Sequence, residues 1–204
     1  MTSKLIIRSA AFAAFTLAPV AALAAQDAPQ STDEIVVPAN TAAASSGRIA
    51  VNIASGDNNQ QLGDAAIAIG DIALVTETAI QRLIGPAPTD HITSITIEDG
   101  AFAGTNGLTS INITAGSQNQ MANLAALAIG NTGPMSAQLL EQTRAPTEPK
   151  GGSPEGALPS NDRIAVGDTA FGNGNGLIQV NLIGGEGNSS ANTFALSIVS
   201  DGSP

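Results

Sequence analysis

The chain of 204 residues has no cysteine, no tryptophan, no tyrosine and one histidine, His91. Without cysteine there is no disulfide framework and no thiol to carry a lipoprotein anchor. With one histidine and no cysteine, a metal site would have to be all-carboxylate, and no such cluster is evident. The nearest partner of His91 in sequence is Asp90, and no nucleophile–base–orienter pattern or G-x-S-x-G elbow accompanies it. A solvated linker histidine and no catalytic residues are expected. Aromatics are limited to five phenylalanines. A mixed globular core of this length would ordinarily draw on more. Basic residues are also scarce, 7 against 17 acidic.

The N-terminus carries the one segment that must be set apart. Lys4 and Arg8 precede an apolar run from Ala10 to Leu17, and Ala22-Leu23-Ala24 offers small residues for cleavage. Residues 1–25 therefore read as a secretory signal peptide, and no later segment is long and apolar enough to span a bilayer. Removing Lys4 and Arg8 leaves 5 basic and 17 acidic residues, hence a net charge of −12. Such a surface repels nucleic acid and anionic lipid, so neither nucleic-acid binding nor membrane insertion is expected.

What the chain does contain is repetition. G-R-I-A-V-N-I-A-S-G-D-N-N-Q from Gly47 returns as G-L-T-S-I-N-I-T-A-G-S-Q-N-Q from Gly107, and as G-L-I-Q-V-N-L-I-G-G-E-G-N-S from Gly176. The offsets are 60 and 69 residues. Upstream, Asp99 and Phe102 align with Asp168 and Phe171, while Ile35 and Val37 match Ile95 and Ile97. Three imperfect repeats result, 33–70, 93–130 and 162–199, with linkers at 71–92 and 131–161.

Within a repeat the period is two. Ile49, Val51 and Ile53 alternate with Ala50, Asn52 and Ala54, and the same alternation surrounds Asn112 and Asn181. This is strand, turned at Gly56, Gly116 and Gly185. A second alternating run closes each repeat, as in Ala65-Ile67-Ile69. The linkers differ: Ile72, Val75, Ala79 and Leu83 have helical spacing over 71–84, stopped by Gly85-Pro86, and Met135–Arg144 is a shorter candidate helix. Residues 147–159 form a Pro/Gly linker.

The repeated amides carry structural chemistry. If each repeat forms one layer, equivalent residues lie about 4.8 Å apart, and a primary amide can donate to one neighbour and accept from the other. Asn52, Asn112 and Asn181 are expected to form one ladder. Asn59, Asn119 and Asn188, joined by Gln60 and Gln120, are candidates for a second, although at that position a plain turn role is equally consistent. At Asn52 a turn role fits badly, because turn formers are disfavoured in mid-strand between β-branched residues. Charges avoid their own copies: Asp57 aligns with Ser117 and Glu186, and Asp64 with Leu124 and Thr193. Only Asp99 over Asp168 keeps its sign. A calcium β-roll is the competing reading of the Gly/Asp-rich bends, but the nonapeptide period is absent and each repeat offers one carboxylate there. No cofactor is expected.

The pattern G-R-I-A-V-N-I-A-S-G-D-N-N-Q-Q at residues 47–61 resembles the fibre subunits of the Fap functional amyloid system first described in Pseudomonas. The resemblance extends over three repeats and two linkers. It implies an exported protein that assembles as cross-β fibres in the biofilm matrix. The partners it implies are further copies of itself and, for export, a dedicated outer-membrane pore and a periplasmic chaperone. Family subunits usually end in a Cys-x-x-Cys motif, whereas this chain ends in S-I-V-S-D-G-S-P.

The expected fold is all-β: three stacked serpentine layers, solenoid-like or cross-β-like, with two linkers able to hold short helices. The expected function is a secreted, self-assembling structural protein at the cell surface, whose outer layers expose unpaired edges. The alternative is a monomeric β-solenoid adhesin or polysaccharide-binding module, at the surface or in the periplasm, with the linker helices folded over its ends. The shortage of aromatic platforms argues against the carbohydrate reading.

Overall fold

The computed structural model describes residues 31–85, 91–132, 134–144 and 161–199. The signal expected over 1–25 and the Pro/Gly linker over 147–159 lie outside these residues. Among the described residues there are eleven strands and no helix. Four belong to the first layer: β1 (Thr32–Val37), β2 (Ser46–Ser55), β3 (Gln60–Gly70) and β4 (Leu74–Leu83). Four more form the second: β5 (Ile92–Ile97), β6 (Asn106–Ala115), β7 (Gln120–Gly130) and β8 (Met135–Arg144). The third contributes β9 (Arg163–Val166), β10 (Asn175–Gly184) and β11 (Ser189–Val199).

Each strand pairs only with its counterparts in adjacent layers, always in parallel. The sheets are β1-β5-β9, β2-β6-β10, β3-β7-β11 and β4-β8. The register joins Asn52 to Asn112 to Asn181, and Gly47 to Gly107 to Gly176. Parallel strands are usually connected through long crossovers. Here the crossover is the rest of the layer, so the chain travels through four sheets before pairing with itself.

The interiors between sheets differ in chemistry. Ile35, Val37, Ile95 and Ile97 meet Val51, Ile53, Ile111, Ile113, Val180 and Leu182 in an apolar core between the first two sheets. Phe102 and Phe171 close its end, stacked with centroids 5.5 Å apart and planes 6° apart. Stacking one copy on the next is how so few aromatics suffice. Between the third and fourth sheets lies a thinner seam of Ala66, Ala68, Ala73, Val75, Ala126 and Ala128. The gap between the second and third sheets holds the amides Asn112, Asn123, Asn181 and Asn192 in one part and an apolar cleft lined by Leu108, Leu127, Leu177, Phe194 and Leu196 in another.

The helical expectation for the linkers is overturned. Residues 74–83 and 135–144 are strands that pair with each other, Leu74 with Met135 through Leu83 with Arg144. The spacing of Val75, Ala79 and Leu83 that suggests a helix also fits a period of two once Glu77 and Gln81 are counted as inward. Val75, Glu77, Ala79, Gln81 and Leu83 are all buried, alternating with exposed neighbours. Helix propensity is a weak prior, and here pairing along the stack overrides it. Helices folded over the ends are thereby excluded for these segments.

Candidate functional site

The middle layer shows what the stack does to a polar side chain. Asn112 is fully buried, alternating with Ile111 and Ile113 on β6. Its Nδ2 donates to Asn52 Oδ1 at 2.9 Å and to the Leu62 carbonyl of β3 at 2.9 Å. Its Oδ1 accepts from Asn181 Nδ2 at 3.0 Å and from Asn123 Nδ2 at 3.0 Å. Asn181 repeats the pattern, donating to the Ala122 carbonyl of β7 at 3.1 Å. Each amide thus holds its neighbour in the stack and fastens the second sheet to the third. Burial without these bonds would cost about 1–3 kcal/mol per orphaned group.

Asn59, Asn119 and Asn188 make a different column. Asn59 Nδ2 donates to the Gly116 carbonyl at 2.7 Å, and Asn119 Nδ2 to the Gly185 carbonyl at 2.8 Å. In the opposite sense, the Asn119 and Asn188 backbone N–H groups donate to Asn59 Oδ1 and Asn119 Oδ1, at 3.0 and 2.9 Å. The side chains bind the turn backbone of the adjoining layer rather than one another. Gln120 Nε2 does reach Gln60 Oε1, at 3.2 Å. The turn glycines Gly56, Gly116 and Gly185 have φ of 94°, 108° and 91°. A Cβ on Gly116 would collide with the Gly185 carbonyl, so glycine is required there both by φ and by close approach.

Two amide sets escape the sequence reading. Asn123 and Asn192 on β7 and β11 are bonded at 2.9 Å, and Asn192 also donates to Asn181 Oδ1 at 3.0 Å. The first repeat has Gly63 at that position, which hides the column from a search for triple identity. The linkers contribute Gln81 and Gln142, bonded at 2.6 Å, and Glu77 and Gln138, bonded at 2.8 Å. Their signal is an offset of 61 between segments of little identity. Burial pushes the Glu77 carboxyl above the ordinary glutamate range, against the lowering effect of the Gln138 hydrogen bond.

Charged groups gather at one corner. His91, expected to be solvated, is instead largely buried at 16% side-chain exposure, its Nδ1 2.8 Å from Asp33 Oδ2. The reason is tertiary: the layer below supplies a carboxylate that is 58 residues distant in sequence. That bond raises the His91 pKa. Asp162 accepts from the Thr93 backbone N–H and hydroxyl at 3.1 and 2.7 Å. Asp99, aligned with Asp168, accepts from both the backbone N–H and the hydroxyl of Thr169 at 3.1 Å. Donors from the adjacent layer thus compensate the one like-charged column.

Among the described residues, no group of three or more His, Cys, Asp or Glu is placed to hold a metal ion, and no helix is long and apolar enough to cross a membrane. The arrangement supplies hydrogen-bonding columns and strand edges rather than convergent reactive groups. β2 and β10 are the outer strands of one sheet, and β3 and β11 of another. Their outer edges have no partner among the described residues. No solved structure matches the chain. The model of the functional amyloid protein FapB/FapC family matches residues 18–199, and with three parallel in-register layers behind that match, the chain belongs to this family.

Proposed function

We propose that the protein is a secreted structural subunit that polymerises head to tail, the third layer of one copy pairing with the first layer of the next to build a fibre at the cell surface or in the biofilm matrix. The observation that carries this reading is the continuity of the two ends. Amide donors run in one direction along the stack, from Asn181 to Asn112 to Asn52. A second copy would extend that column by bringing its own Asn52 onto Asn181. The glycine column behaves alike. A Cβ on Gly107 or Gly176 would strike the glycine carbonyl of the layer before it, whereas one on Gly47 meets nothing within 4 Å. Gly47 is thus held at φ of 97° facing open space that a neighbour's Gly176 would fill. An open parallel edge is a template for another chain, and a heterologous contact of this kind does not close.

In this reading Asn52, Asn112 and Asn181, with Gln60 and Gln120, act as the side-chain ladder, Asn59, Asn119 and Asn188 clamp the backbone of adjoining turns, and Gly56, Gly116 and Gly185 act as those turns. Repeats 33–70, 93–130 and 162–199 are the stacking units, and the linkers supply a fourth strand to two of them. Export would use the signal at 1–25, an outer-membrane pore and a periplasmic chaperone. The test is fibre diffraction and seeding of the purified mature protein. Reflections near 4.7 and 10 Å, with growth accelerated by preformed seeds, are expected. A protein that stays monomeric at high concentration, with no effect of seeds, would refute the reading.

A further inference from the structure

The junction between copies differs electrically from the two interfaces inside one copy. In the register Asp33 pairs with Thr93, and from the third layer Asp162 accepts from the Thr93 backbone N–H and hydroxyl. At the turn, Asp57 contacts Ser117, bonded at 3.2 Å from its backbone N–H, and Glu186 stands above Ser117. The middle layer is therefore neutral at both positions, and neither internal interface stacks one of these carboxylates on another. Head-to-tail docking removes that spacing. It lays Asp162 of one copy over Asp33 of the next and Glu186 over Asp57, each pair about 4.8 Å apart by strand spacing.

The two columns share a corner. Asp33 Oδ2 lies 2.6 Å from where a Cβ on Gly56 would stand, and Asp162 Oδ2 lies 3.4 Å from the equivalent point on Gly185. Glu186 Oε1 accepts from the His91 backbone N–H at 3.2 Å. The groups facing one another across the docked corner are Asp33 and Asp57 of one copy with Asp162 and Glu186 of its neighbour. His91 stands one layer behind them, in the middle layer, bonded through Nδ1 to Asp33 and through its backbone N–H to Glu186 of its own copy. On the outer face of the first sheet, Glu34 of one copy would meet Arg163 of the other, since Glu34 and Arg163 both align with Ser94. That opposite-charge pair is exposed at the rim, where such pairs contribute little.

We propose that the junction is proton-coupled: adding a copy to the fibre end takes up protons at the Asp33–Asp162 and Asp57–Glu186 contacts, while folding of the single copy does not require them. This rests on the head-to-tail reading above. Two like carboxylates held at that distance favour sharing a proton, so the docked pair titrates above the separated groups. His91, whose pKa is raised by its bond to Asp33, adds a positive charge to the same corner as pH falls. Assembly is thus restrained at neutral pH and released in acid.

The experiment measures the critical concentration for elongation from preformed seeds between pH 7.5 and 4.5, for the mature wild-type protein and two charge-matched variants. Asp162→Asn/Glu186→Gln removes the junction charges while keeping the oxygens that accept from Thr93 and His91. Glu98→Gln/Glu141→Gln removes two exposed charges of the middle layer, away from the junction. Wild type and control are expected to show a critical concentration falling about tenfold per pH unit for each proton taken up. The junction variant is expected to elongate more readily at pH 7.5 and to show a flatter dependence. Equal slopes for the two variants, or a wild-type critical concentration independent of pH, would overturn the proton coupling and leave head-to-tail assembly standing. Absence of seeded growth at every pH would overturn both.

Discussion

Replacing Asn112 by Asp tests the buried amide column with almost no change in shape. The Oδ1 that accepts from Asn181 and Asn123 is retained. The Nδ2 that donates to Asn52 Oδ1 and the Leu62 carbonyl becomes an oxygen aimed at two acceptors. Two hydrogen bonds are lost and two repulsive oxygen contacts appear, in a residue with 0% exposure. Asn52 lies at the exposed end of the column and can turn to water, so the loss falls mainly on the Leu62 carbonyl and on the introduced carboxylate itself. At about 1–3 kcal/mol for each buried group left unsatisfied, the variant is expected to lose about 2–4 kcal/mol. That is a large fraction of the ~5–15 kcal/mol that stabilises a typical fold. A buried carboxyl without a compensating cation also titrates upward, so part of the loss should return in acid, where the protonated group can donate to one acceptor. The assay is denaturant unfolding of the soluble protein at pH 7 and pH 4, run beside Asn52→Asp. Because Asn52 only accepts within the column, its variant is expected to lose less than about 1 kcal/mol. Equal stabilities for the two variants would show that position in the stack, and the bond pattern built on it, does not govern the cost.

Glu77→Gln should stabilise the protein at neutral pH. Burial raises the Glu77 pKa, so folding is disfavoured as pH climbs above the unfolded value, and the penalty is complete above the folded one. The gain in Tm should therefore be present at pH 7 and vanish at low pH; a gain that persists at pH 3 would refute the cause. His91→Gln should show the opposite sense. The folded pKa of His91 is raised by Asp33, so its contribution is full below the unfolded value of about 6.5 and is lost as pH rises through the folded one. The stability gap between wild type and variant should narrow above neutrality, as read by thermal unfolding across pH 5.5–9. Gly116→Ala should cost about 2 kcal/mol or more, since it combines a φ of 108° with a collision against the Gly185 backbone. Retention of wild-type stability on denaturant unfolding would contradict that geometry.

The sequence by itself determined the layers. Identity at offsets of 60 and 69 names the paired residues, because a parallel in-register stack puts every residue against its own copy. The alternation around Asn52, Asn112 and Asn181 also assigns those amides to one face of a strand. Periodicity is local, and so it is legible without a structure. What only the tertiary structure decided is what each face meets. Whether Asn119 bonds an amide or the Gly185 carbonyl depends on how tightly the turns stack. Glu77 and Gln81 become buried strand residues because β8 runs beside β4, which overrides a helical spacing that is real in the sequence. His91 leaves solvent because the fold brings Asp33 to it. Each of these is a contact between segments far apart in the chain, where spacing along the sequence carries no information about distance in space.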